Sequence, residues 1–224
     1  MKALLWKDMR VNGVLIAYAL GASVGVYVVM MAVNQIFEWR TGFPWQEWSK
    51  LLGLAATLSL VLELVTAVLM GGCAFASERA DRTAEFMAYM PVSRGRIIWS
   101  KTLLILAVFA FIGLLDIGML WILEGRQSST GGDSIWKVVR VFGSISWCMF
   151  GCAWCISSMS RSHGLSAAVG IFVPLGCVGV MLSWTKLMGW SEDWLDQGIP
   201  NTFAILGTVG YATGVWYYLR RVEP

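Results

Sequence analysis

The sequence predicts an all-α integral membrane protein. Six helices cross the bilayer, an amphipathic interfacial helix precedes the first, and a cytoplasmic helix joins the second to the third. Three observations lead there. Of 224 residues, 57% are hydrophobic and only 14% charged, with a mean hydropathy of +0.65. A body of 24.7 kDa has too much surface to hide that share of apolar side chain from water. Six stretches reach the roughly 20 apolar residues needed to cross about 30 Å of hydrocarbon, at about 11–33, 51–75, 102–123, 135–159, 165–187 and 201–219. Lysine and arginine, finally, alternate in density from loop to loop as an even number of crossings requires.

The first ten residues, MKALLWKDMR, place Leu5, Trp6 and Met9 toward one face and Lys2, Lys7 and Arg10 elsewhere. This is the pattern of a short helix lying on the inner leaflet; a basic flank that only sets topology has the same composition. The stretch 11–33 exceeds the about 7–15 apolar residues of a signal peptide, and small residues at Ala17–Ala19 come too early for cleavage, so an uncleaved helix is expected. No segment between stretches is long enough for a separate domain, so residues 1–224 read as one membrane domain.

Most of the 17 Lys and Arg fall on the side of residues 2–10, 76–101, 161 and 220–221, which makes that side cytoplasmic, with both termini inside. Of the 13 tryptophans, Trp39, Trp45, Trp48, Trp121, Trp136, Trp184, Trp190 and Trp194 lie in or beside the outer loops, at the headgroup level that such rings favour. Segments 36–50 and 188–200 are therefore expected as short interfacial hairpins or helices. Small residues at four-residue spacing mark close helix contacts: Ala17, Gly21 and Gly25 in the first span, Ser144, Cys148 and Cys152 in the fourth, Gly210 and Gly214 in the sixth. Pro174 is expected to kink the fifth.

The segment 76–101, ASERADRTAEFMAYMPVSRGRIIWSK, carries the most local information. Ser77 can cap a helix with Glu78 and Asp81 in its first turn. Arg82 stands at helical neighbour spacing from Glu78 and Glu85, and Ala80, Ala84 and Met87 form a narrow apolar stripe. Pro91 stops that helix, and Ser93 can start the next, which carries Arg94, Arg96 and Lys101 into the third span. A rigid helix of about three turns is expected here.

Glu78, Glu85, the run MPVSR at 90–94 and Lys101 before an apolar stretch resemble the first cytoplasmic loop of type-2 ATP-binding-cassette (ABC) exporter permeases. FGCAWCISSMSRSHGLSAA at 150–168 resembles the junction between that family's fourth and fifth helices. The resemblance, which takes in the six-span layout and the N-terminal helix, implies a permease subunit in the cytoplasmic (inner) membrane. Its partners would be two ABC ATPase subunits, a second permease copy or paralogue, and membrane lipid, with no nucleic acid. It implies that Glu78, Asp81, Arg82, Ala84, Glu85, Met87, Pro91 and Arg94 form the ATPase-coupling element. It implies also a cargo path at the dimer interface, lined by the second and fifth spans. The short outer segments depart from relatives that carry a large extracellular domain. No G-x-x-x-x-G-K-[ST] loop occurs in the chain, so ATP and Mg are expected on the partner, with no cofactor and no metal held here.

Glu63 and Asp116 fall within the second and third spans, where an ionisable group costs at least about 2.5–3.5 kcal/mol. They are candidates, with Arg140, for polar contact with cargo; the plainer alternative is a pairing with Lys137 or Arg140 that holds helices in register. Lys137 and Arg140 near an outer end suit snorkelling to headgroups. Cys148, Cys152 and Cys155 share a helical face without a histidine near in sequence, which favours packing over metal or thiol chemistry. His163, the single histidine, reads as a loop residue. No catalytic constellation can be assembled, and the chain is expected not to be an enzyme. An amphipathic or lipid-like cargo, a peptide or a drug, suits such a bundle. The alternatives are a proton-coupled secondary transporter using Glu63 and Asp116, and an assembly or signalling subunit that binds an ATPase without moving cargo.

Overall fold

In hydrocarbon a backbone amide has no water to bond, so apolar stretches of this length are stable only as continuous helices. The computed structural model describes residues 2–41, 45–80, 93–124, 132–188 and 192–221. Their elements are α1 (Lys2–Val11), α2 (Gly13–Thr41), α3 (Trp45–Ala80), α4 (Arg94–Glu124), α5 (Gly132–Met159), α6 (His163–Met188) and α7 (Glu192–Arg221).

Five of these contain a segment long and apolar enough to cross a membrane: Gly13–Val33, Gly53–Ala76, Arg94–Ile122, Trp136–Met159 and His163–Thr185. They cover the first five predicted stretches. The sixth, 201–219, lies within the 30-residue α7, which is long enough but less apolar, being interrupted by threonines and glycines. Those hydroxyls are satisfied locally: Thr202, Thr208 and Thr213 each donate to the carbonyl four residues back.

Several boundaries differ from expectation for identifiable reasons. α2 runs on to Thr41 and α3 starts at Trp45, so 36–50 is mainly a continuation of two helices. α7 likewise starts at Glu192 and passes through the buried Pro200, so no separate interfacial element occupies 192–200. Ser77 does not cap a new helix, because Ala-Ser-Glu-Arg-Ala contains no breaker and α3 continues through it to Ala80. The α5–α6 junction is a short turn at 160–162. There the Leu165 amide donates to Ser162 Oγ, an N-cap at 3.2 Å, as α6 re-enters the bundle.

α7 lies along α5 in the same direction. Arg140 Nη2 donates to Asn201 Oδ1 at 2.9 Å, Trp147 Nε1 donates to Thr208 Oγ1 at 3.1 Å, and Gly214 packs against Trp154 and Cys155. Between these points Gly151 meets Gly207 and Gly210 backbone to backbone, leaving no room for a side chain at any of the three. The α2 stripe differs: among the described residues nothing lies within 4 Å of a Cβ position at Gly21 or Gly25, so the seam makes no close contact with them. α3 crosses α5 at Gly71, where a Cβ would press on the Phe150 carbonyl.

Below that crossing Phe75 packs edge-on to Trp154 at 4.7 Å and stacks on Tyr218 at 4.5 Å. Ser157 Oγ accepts from the Phe75 and Ala76 amides at 3.0 and 3.1 Å, and Arg94 Nη1 donates to the Leu219 carbonyl at 3.2 Å. α1, the ends of α3, α5 and α7, and the starts of α4 and α6 thus gather at one end of the bundle.

Candidate functional site

That shared end holds a cluster of charges shielded from solvent. Lys7 and Asp8 come from α1, Glu78 from the last turn of α3, and Ser100 and Lys101 from the second turn of α4. Glu78 Oε1 receives Lys7 Nζ at 2.7 Å and Lys101 Nζ at 2.9 Å. Lys101 Nζ also lies 3.6 Å from Asp8 Oδ1, while Ser100 Oγ donates to Asp8 Oδ2 at 2.5 Å. Asp8, Glu78 and Lys101 are 2%, 5% and 4% exposed, and Lys101 also sits over the Phe75 ring at 5.5 Å. Two lysines and two carboxylates balance. A balanced buried set is tolerated, but loss of one member leaves a charge that neither water nor protein compensates.

The arrangement is a mechanical junction. Lys101 links α4 to both α1 and α3, and Glu78 links α3 to both α1 and α4. The two helix ends that enter and leave segment 81–92 are therefore fixed to each other and to α1. Glu78 points inward to lysines on two other helices, where burial strengthens the attraction; its expected pairing along the helix involves Arg82, which lies outside the described residues. Asp81, Arg82, Ala84, Glu85, Met87 and Pro91 lie outside the described residues. Arg94 lies within them and ties the start of α4 to the end of α7.

A second polar group sits within the spans. Tyr27 Oη donates to Asp116 Oδ1 at 2.7 Å, joining α2 to α4. Ser59 and Glu63 lie one and about two turns beyond Ala55 and Ala56 on α3, which pack with Tyr27 and with Leu115 and Met119 of α4, so both belong to the region of the tyrosine–aspartate pair. Arg140, one of the cations expected beside Asp116, reaches Asn201, and Asp116 instead takes a hydrogen bond from Tyr27, because α2 packs beside this part of α4 through Tyr27, Leu115 and Met119. Arg140 is thus not brought together with Glu63 and Asp116.

Asp8, Lys7 and Ser100 were not singled out from the sequence, although an acidic residue inside the basic opening segment was the available signal. Tyr27 and Ser59 left none, since single hydroxyls in apolar runs are common. His163 is exposed at the start of α6. No disulfide joins the five cysteines, and Cys148 is buried in helix packing.

Compared with known protein families, residues 5–179 match the family described as ABC-2 family transporter protein. No curated protein and no solved structure matches the chain.

Proposed function

This chain belongs to the ABC-2 family of transporter permeases, and we propose that it is the membrane subunit of an ABC exporter driven by ATP hydrolysis on a separate cytosolic chain. In this reading α7 crosses as the sixth span, the end of the bundle carrying α1 faces the cytoplasm, and a second permease copy or paralogue completes the path. The cargo is amphipathic or lipid-like.

The observation that carries the proposal is the buried charge cluster. A nucleotide-driven partner pressing on segment 81–92 has to move the end of α3 and the start of α4. Residues Glu78 and Lys101 bind those two ends into one unit with α1, so displacement of the segment is passed to three helices together. Α loose loop would absorb the same push. The absence of a phosphate-binding loop from the sequence supports placing hydrolysis on the partner.

The test is reconstitution of the chain in vesicles with an ABC ATPase that it captures from its own cells. Cargo-stimulated ATP hydrolysis and vanadate-sensitive transport are expected. Transport that ignores vanadate and collapses with the proton gradient would favour the secondary transporter. Complex formation with ATP hydrolysis but no cargo movement would favour the assembly subunit.

A further inference from the structure

The cluster within the spans has a charge imbalance that the one at the α1 end lacks. Glu63 to Glu78 on α3 and Lys101 to Asp116 on α4 are equal separations in sequence. At about 1.5 Å per residue, both carboxylates lie roughly 22 Å above the charge cluster, at one level. Glu63 and Asp116 are 9% and 1% exposed, and among the described residues no lysine or arginine pairs with either. Tyr27 satisfies Asp116 Oδ1 only; Asp116 Oδ2 has no partner, and neither has Ser59 Oγ, which is fully buried beside it. Asp116 Oδ2 and Ser59 Oγ are thus both buried without a hydrogen-bond partner near a second carboxyl group, in a layer where uncompensated polar groups are costly.

We propose that Ser59, Glu63 and Asp116 form a cation site, with Tyr27 fixing the Asp116 carboxylate. The site takes one monovalent positive group, either an alkali metal ion or the ammonium head of an amphipathic molecule. All its donors are oxygens, which suits hard cations and not the thiolate- or imidazole-seeking metals. A cation between the two carboxylates replaces their mutual repulsion with attraction to a common centre, and clamps α3 to α4 and, through Tyr27, to α2. This reading does not depend on an ATPase partner.

The experiment is thermal melting of the purified full-length protein in detergent, followed by tryptophan fluorescence. The starting medium is N-methylglucamine chloride at constant ionic strength. NaCl, KCl or decylammonium chloride is then titrated in, with decanol as the uncharged control for the alkyl chain. A saturable rise in Tm of roughly 2–4 °C is expected for at least one cation, from mass action on the folded state. A response to Na⁺ or K⁺ identifies a free ion; a response to decylammonium but not decanol identifies an ammonium head. Asp116→Asn and Ser59→Ala should each abolish the saturable rise while still melting cooperatively. Ser59→Ala alone carries the comparison if Asp116→Asn does not fold. No saturable rise with any cation, or an equal rise in the variants that fold, overturns the proposal.

Discussion

At Gly151 the Gly207 carbonyl of α7 occupies the place where a Cβ would stand. Gly151→Val therefore has to separate two backbones that run side by side, and overpacking of this kind costs about 1–3 kcal/mol or more. A clear drop in detergent melting temperature is expected. Gly176→Ala is the control: nothing lies within 4 Å of its Cβ position, and replacing a helical glycine with alanine should leave Tm unchanged or raise it slightly. Equal losses at both positions would mean that the α5–α7 seam is not closely packed. Lys101→Met is harmful for a different reason, since it takes away the lysine that contacts both Glu78 at 2.9 Å and Asp8 at 3.6 Å. A loss of about 3–5 kcal/mol is expected. The double variant Glu78→Gln/Lys101→Met removes one charge of each sign and should lose less than the sum of the single variants. Additive losses in that cycle would deny the ion pair its place in the cluster.

Among the elements, the connection between α3 and α4 decides whether the transporter reading holds. Glu85→Lys, or Ala84→Glu, leaves Lys7, Asp8, Glu78, Ser100 and Lys101 unchanged, so membrane insertion and melting temperature should stay as in the native chain. Cargo-stimulated hydrolysis by the partner should fall at least tenfold if segment 81–92 meets the ATPase; unchanged stimulation would remove that role. The sequence showed this element's chemistry better than its geometry. Glu78 and Lys101 stood out because charge between apolar runs is rare, whereas their joint burial against α1 was illegible, because no spacing rule connects Asp8 with Ser100 across so much chain. The same limit hid Tyr27 as the partner of Asp116. Hydropathy tells which residues are in the membrane, but the choice of neighbouring helix belongs to packing, and packing here rests on glycines whose use cannot be told from their spacing. The α2 seam at Gly21 and Gly25 was as regular as the one α7 uses, yet among the described residues nothing packs closely on it.

For the molecule as a whole, the number of crossings turns on α7. The first five spans were legible because each is long and nearly uniform in apolar character. α7 was read from the shortest of the six apolar stretches, with parity in support, and its threonines and glycines lower its hydropathy. Packing supplies what composition lacks. From Asn201 to Gly214, α7 accompanies the part of α5 from Arg140 to Cys155, in the same direction and over roughly 20 Å at about 1.5 Å per residue. Its hydroxyls are bonded within the helix, so the polar composition costs little in hydrocarbon. If α5 crosses, a helix aligned with it over that distance crosses too, and residues 191 and 222 lie on opposite sides. Single cysteines placed by Ser191→Cys and Val222→Cys in a cysteine-free background test this with a membrane-impermeant maleimide on intact cells. Ser191→Cys should react at once, and Val222→Cys only after the membrane is opened. Reaction of both on intact cells, or of neither, would place the two positions on one side and reduce the bundle to five crossings.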